Sequence, residues 1–249
     1  MKRGRLSIGT SGWSYSHWAN GIFYPRGLKQ GEWLSFFSRH FDTVEVNSSF
    51  YRLPKPEIIL HWAQVTGARF RFAVKLWRRI THDKQLAGCA AELQDFFAVV
   101  NGLGAKRAPL LVQLPPSMHR DTDRLAQFLT EVRQAARPRR WRVAVEFRNP
   151  DWLGNDVFHV LSQHAAALVL ADMPRCPVTE PNDAPFIYMR RHGPGGRYRG
   201  CYTKEHLTAD ATCIRQWLEE GRDVYVYFNN DIEGHALSNA RLLRDIVSC

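Results

Sequence analysis

Apolar residues recur along this chain at two spacings, and the two spacings alternate. Runs with every second position apolar, the signature of a strand, occur at 5–11 (RLSIGTS), 43–49 (TVEVNSS), 69–77 (RFRFAVKLW) and 109–115 (PLLVQLP). Four more follow at 142–149 (RVAVEFRN), 167–173 (ALVLADM), 186–193 (FIYMRRHG) and 223–230 (DVYVYFNN). Most are separated by segments with apolar residues three and four apart, such as AAELQDFFAVVNGLG, TDRLAQFLTEVRQAA and CIRQWLEEG, which predict helices. The stretch between the sixth and seventh strands is short and holds Pro177 and Pro181, so no proper helix is expected there. This alternation is the arithmetic of an α/β fold, a single-domain (β/α)8 TIM-type barrel over 1–249 with an irregular crossover between strands 6 and 7. An open doubly wound sheet is the alternative, but no G-x-G-x-x-G follows the first strand.

In a barrel one set of alternate residues faces the helices and the other faces the axis. The helix-facing set reads Leu6/Ile8, Val44/Val46, Phe70/Phe72/Val74, Leu110/Val112/Leu114, Val143/Val145/Phe147, Val169/Ala171, Ile187/Met189 and Val224/Val226/Phe228. The opposite parity then ends, strand by strand, in Ser11, Glu45 and Asn47, Lys75, Gln113, Glu146 and Arg148, Asp172, Arg190 and His192, and Asn229. Polar residues at the C-terminal ends of barrel strands mark the face where such proteins build their sites.

The motifs GTSGWSYSHW, FYP, TVEVNSSFYRLP, LLVQLPPS, VEFRNPDW, RRHG and YVYFNND…ALSNA resemble, in order and across essentially the whole chain, the YecE-like family, a domain of unknown function (number seventy-two). The resemblance implies a TIM-type barrel and no particular reaction, so function has to be argued from the site.

Neighbouring strands suggest charge pairs. Glu45 is expected beside Lys75, an ion pair that keeps Glu45 ionised and Lys75 protonated, which argues against a Schiff-base role for the lysine. Glu146 is expected between Gln113 and Asp172. Two adjacent carboxylates repel, so one of them has a raised pKa unless a cation intervenes, and Glu146 or Asp172 becomes a candidate general acid or base. Arg190, His192 or a metal would supply that cation. No motif demands a cofactor, although one divalent ion held by Glu146, Asp172 and His192 fits these residue types. A satisfied ion-pair layer without chemistry is the competing reading.

The loop RRHGPGGRYRG (190–200) combines glycines with Arg190, Arg197 and Arg199, and loops after strands 7 and 8 often hold phosphate in this fold. Asn230 or Asp231 is expected to cap the next helix and help attract an anion. Trp13 in the long first loop and Tyr51 on the rim are candidates to stack on a ring, against the alternative of a private mini-core.

Composition widens the choice of partner. The formal net charge is +10 and the pI about 9.7. A small anionic substrate is the first expectation, with nucleic acid the alternative because Arg133 to Arg148 and Arg190 to Lys204 form basic patches. A non-catalytic binding barrel is the third reading. The five scattered cysteines form no C-x-x-C pair, and no apolar run suggests a signal peptide or membrane span. A cytoplasmic protein without membrane contact is expected.

Overall fold

The computed structural model describes residues 3–249. Its eight strands are β1 (Leu6–Ser11), β2 (Thr43–Val46), β3 (Arg71–Lys75), β4 (Arg107–Gln113), β5 (Val143–Glu146), β6 (Ala167–Ala171), β7 (Phe186–Arg191) and β8 (Asp223–Phe228). All pair in parallel with their sequence neighbours, and β8 returns to β1 through Leu6↔Val224 to Thr10↔Phe228, closing the barrel. The helices are α1 (Trp33–Phe37), α2 (Ser48–Tyr51), α3 (Pro56–Val65), α4 (Ala90–Val100), α5 (Thr122–Ala135), α6 (Asn155–Gln163), α7 (Lys204–Glu219) and α8 (His235–Ser248). Asp121 caps α5, accepting a hydrogen bond from Arg124 N at 2.9 Å, and Thr203 caps α7. The crossover from β6 to β7 contains no helix; Val178 instead bridges antiparallel to Ala171.

The alternation sorts side chains into two cores. Val44, Val46, Phe72, Val74, Leu110, Val112, Val145, Ile187, Met189, Val224 and Val226 pack outward under the helices. The interior holds Ala73, Leu111, Ala144, Val169, Ala171, Phe186, Tyr188 and Tyr227. Alanines on β3, β5 and β6 leave the volume that the large rings of β7 and β8 fill, as close packing requires.

Two expectations about the strands are corrected. On β6 the phase is reversed: Leu168 and Leu170 lie in the outer core, while Val169 and Ala171 point inward. All five β6 residues are buried, so this strand, apolar on both faces, carries no alternation from which to read its phase. The second strand ends at Val46, and 48–51 forms the helical turn α2 rather than continuing extended. Ser49 Oγ pins that turn by donating to Lys75 O at 2.7 Å.

Candidate functional site at the barrel mouth

The C-terminal end of the barrel is organised around one arginine. Arg190, on β7, is 1% exposed and reaches across the interior to β2 and β5. Its Nε and Nη2 donate to the two oxygens of Glu45 at 3.0 and 2.8 Å, a bidentate fork. Its Nη1 donates to Glu146 Oε2 at 2.6 Å. Ser11 Oγ and Tyr188 OH fill the remaining acceptor positions of Glu45, each at 2.7 Å. Arg148 Nε lies against Glu146 Oε1 as a close ion contact without good hydrogen-bond alignment, which leaves both atoms formally without a partner.

This arrangement sets the charge states. Burial alone would raise the pKa of Glu45, but the Arg190 charge and then its hydrogen bonds outweigh that and hold the carboxyl below its ordinary value. Burial is likewise opposed at Glu146 by Arg190 and then Arg148, which hold it well below the usual carboxylate range. Two carboxylates this firmly ionised and enclosed are poor proton donors.

The expected Glu45–Lys75 pair does not form. The register sets Glu45 opposite Ala73, and Lys75 lies two residues further along, opposite Leu111. Lys75 Nζ instead donates to Gln113 Oε1 at 2.8 Å and sits 3.9 Å from the centre of the Phe50 ring. Among the described residues it has no salt bridge. Burial, then repulsion from Arg190, lowers its pKa to about 8. His82 packs edge-on against the other partner of this cluster, its ring 4.9 Å from that of Phe50. Burial and then the Lys75 charge push His82 down to about 4, so it is neutral at physiological pH.

Asp172 does not face Glu146. With the β6 phase reversed it lies at the outer side of the barrel lip, where it accepts from His192 N at 2.8 Å and from the Tyr202 hydroxyl. Burial would raise its pKa, but the hydrogen bonds from His192 and Tyr202 prevail and lower it. His192 Nε2 faces Arg190 Nη1 at 3.2 Å and Arg148 Nη2 at 3.3 Å, and its Nδ1 faces Asp172 Oδ1 at 3.2 Å. Two arginine donors assign an unprotonated Nε2, leaving the proton on Nδ1 toward Asp172. Burial lowers the His192 pKa and keeps it neutral. Glu146, Asp172 and His192 therefore do not converge as ligands, and no group of three or more His, Cys, Asp or Glu among the described residues could hold a metal.

The remaining candidates divide. Trp13 and Asn47 line one cavity of about 620 Å³ beside the mouth, together with Tyr15, His61 and Trp62, and Asn47 Oδ1 is buried there without a partner. Tyr51 is 73% exposed. Trp18, Phe23 and Tyr24 form the mini-core of the first loop, where Tyr24 stacks on Trp33 with ring centres 4.6 Å apart. Arg197 and Arg199 are exposed on the β7 loop, while Arg148 Nη1 reaches Tyr198 OH at 3.3 Å. Gly193, at φ +95°, lets that loop fold back; a Cβ there would stand 2.2 Å from Arg199 O. Asn229 is half-buried and joins the β7–β8 edge through its backbone, donating to Arg191 O at 2.8 Å. Neither Asn230 nor Asp231 caps α8. Gly234 occupies that position, and Asn230 Nδ2 donates to Gly200 O and Asn239 Oδ1 at 2.8 and 2.9 Å. Tyr188 could have been found from its parity with Arg190, two residues on; His82 sits in an irregular turn after β3 and carried no signal.

A closed parallel barrel of eight strands wrapped by helices is a (β/α)8 protein, and the polar residues just described sit at the C-terminal end of its strands, the end at which this fold generally builds its sites. The chain belongs to the family described as "Protein of unknown function DUF72", whose model matches residues 7–249. It is 30% identical over 148 residues to the UPF0759 protein YecE of Escherichia coli K12, a match covering 59% of this chain and 50% of YecE, so the chain aligns with about half the length of that relative. It is 24% identical over 273 residues to the UPF0759 protein YunF of Bacillus subtilis, covering 97% and 94% of the two chains. A DUF72 family protein from Thermotoga maritima (TM1631) superposes with a TM-score of 0.86 at 24% identity, covering 98% of this chain and all of that one. SacUVDE, at a TM-score of 0.56 and 10% identity over 98% of each chain, shares the fold alone. No helix among the described residues is long and apolar enough to cross a membrane.

Proposed function

We propose that the barrel mouth binds a small anionic molecule, phosphorylated or sugar-like, and that Lys75 carries the proton transfer there. The observation that carries this reading is the environment of Lys75: a largely buried amine with a pKa near 8, fixed by a neutral amide and an aromatic face instead of a carboxylate. Such a lysine is tuned to the range in which amines act as general acids and bases. The charge balance agrees. Arg190, Arg148 and Lys75 face Glu45 and Glu146, three cations against two anions, which leaves one positive charge for a ligand. The glutamates set the geometry of the arginines, and Arg197 and Arg199 extend positive charge along the rim.

A thermal-shift screen of sugar phosphates and small carboxylates tests this, run on the wild type and on Lys75→Met. Hits are expected to lose most of their shift in the variant, and turnover of any hit to follow a group titrating near pH 8. Ligands that stabilise both proteins equally would sink the reading.

A further inference from the structure

The opposite end of the barrel holds a second concentration of charge. At the N-terminal ends of the strands a cavity of about 790 Å³ is lined by Arg5, Arg69, Arg71, Arg107, Arg140 and Arg142, with Asp42 and Asp223 as its acids. Six guanidinium groups against two carboxylates leave four positive charges in one concavity. Among the described residues, Arg142 is the one arginine of this cavity whose guanidinium forms a salt bridge, to Asp223 Oδ2 at 2.5 Å, while Asp223 Oδ1 accepts from the backbone N–H of Arg5 at 2.8 Å. Arg71 is positioned by neutral acceptors, with Nη1 donating to Ala68 O and Phe70 O at 2.9 and 3.0 Å. Arg107 is held by Gly104 O and Arg140 O in the same way. These contacts fix the guanidiniums without neutralising them. Arg69 and Arg140 are exposed at the rim and, among the described residues, form no salt bridge.

Residues at this face of a (β/α)8 barrel ordinarily serve stability. Unpaired like charges do the reverse, because their mutual repulsion favours the unfolded chain. An excess of oriented arginines in a concavity is instead the composition of an anion site, since each fork matches two phosphate oxygens. The volume is that of a small-molecule pocket. Trp141 and Tyr225 also line it and offer faces for a ring. A second cavity of about 590 Å³ adjoins it through Arg140, Trp141 and Arg142 and adds Arg133, Arg137 and Arg139.

We propose that the N-terminal face of the barrel is a binding site for a polyphosphate-bearing small molecule of the nucleoside triphosphate class, separate from the mouth. The phosphates lie among Arg69, Arg71, Arg107 and Arg140, and the base meets Trp141. This site does not depend on the role given to Lys75.

Isothermal titration of the full chain with ATP, inorganic tripolyphosphate and a single-stranded oligonucleotide tests the proposal. The proteins are the wild type, Arg69→Ala/Arg140→Ala and Lys75→Met. Both arginines are exposed, so the double variant is expected to melt like the wild type. ATP is expected to bind the wild type saturably and more tightly than tripolyphosphate. The arginine pair should weaken ATP binding by at least about tenfold, and Lys75→Met should leave it unchanged. No saturable ATP binding at millimolar concentration, or binding indifferent to the arginine pair, overturns the site. Tripolyphosphate binding as tightly as ATP overturns the contact to the base. Oligonucleotide binding that outcompetes ATP and weakens steeply with salt overturns the small-molecule assignment in favour of a nucleic-acid track.

Discussion

Arg190 grips Glu45 through two parallel hydrogen bonds of 3.0 and 2.8 Å, joining residues 145 positions apart in the chain. The pair is enclosed, and Arg190 serves Glu146 as well. Removing the arginine leaves two buried carboxylates without the cation they share, Arg148 remaining against Glu146.

Arg190→Met is therefore expected to destabilise the barrel by about 3–5 kcal/mol, the usual cost of orphaning a buried charge. Its pH dependence should also change sign. In the wild type the lowered pKa values of Glu45 and Glu146 contribute stability that is present above their ordinary value and lost as pH falls. Without Arg190, burial pushes both carboxyls upward, so the folded variant takes up protons before the unfolded chain does. Melting between pH 7 and pH 5 checks this: the variant should gain stability relative to the wild type as pH drops, and a parallel loss would contradict the account.

Lys75 makes the opposite prediction at high pH. Its folded pKa of about 8 lies below the ordinary 10.5, so between those values the unfolded chain holds the extra proton and stability rises with pH. Below pH 8 the buried ammonium is a standing cost, partly offset by Gln113 and Phe50. Lys75→Met should stabilise the protein near pH 7 by about 1–2 kcal/mol, and the gain should shrink toward pH 10. Urea unfolding at three pH values measures it.

Two tyrosines in the barrel interior separate the worth of a charged from a neutral hydrogen bond. Tyr188 OH donates to the Glu45 carboxylate at 2.7 Å, whereas Tyr227 OH meets the Thr43 hydroxyl at 2.8 Å. Tyr188→Phe should cost about 2 kcal/mol and Tyr227→Phe about 1 kcal/mol. Equal losses in denaturant titrations would mean that Glu45 is already satisfied by Arg190 and Ser11.

Gly193→Ala places a methyl group 2.2 Å from Arg199 O in a backbone with φ +95°. The β7 loop must reopen, and a loss of about 1–3 kcal/mol is expected, with faster proteolysis confined to 193–203.

The barrel itself was legible because seven strands keep one parity, and the strand-end residues Glu45, Gln113, Glu146 and Arg190 follow directly from it. β6 was not, since Ala167–Ala171 is apolar on both faces and offers no phase by which to assign Asp172 to a layer. Partnerships were the harder part. Glu45 and Lys75 stand on adjacent strands, but the register offsets them by two residues. An arginine from the far wall, with five donors on a long stem, takes precedence over a nearby lysine. Lys75 thereby changes from a neutralised partner into the group with a perturbed pKa. Of the arginines at the N-terminal face, Arg140 and Arg142 stand in the basic stretch Arg133 to Arg148, and the others are scattered along the sequence. Only the closure of the barrel gathers Arg5, Arg69 and Arg107 onto one concavity with Arg140 and Arg142.

The clasp on Glu45 also bears on the order in which the molecule assembles. Glu45 is synthesised before Glu146, and both before Arg190. Until β7 is complete, the two glutamates have no arginine able to bridge them and are better left in water than enclosed. An N-terminal half-barrel is thus discouraged from collapsing on itself, and closure waits for the strand that brings the shared cation.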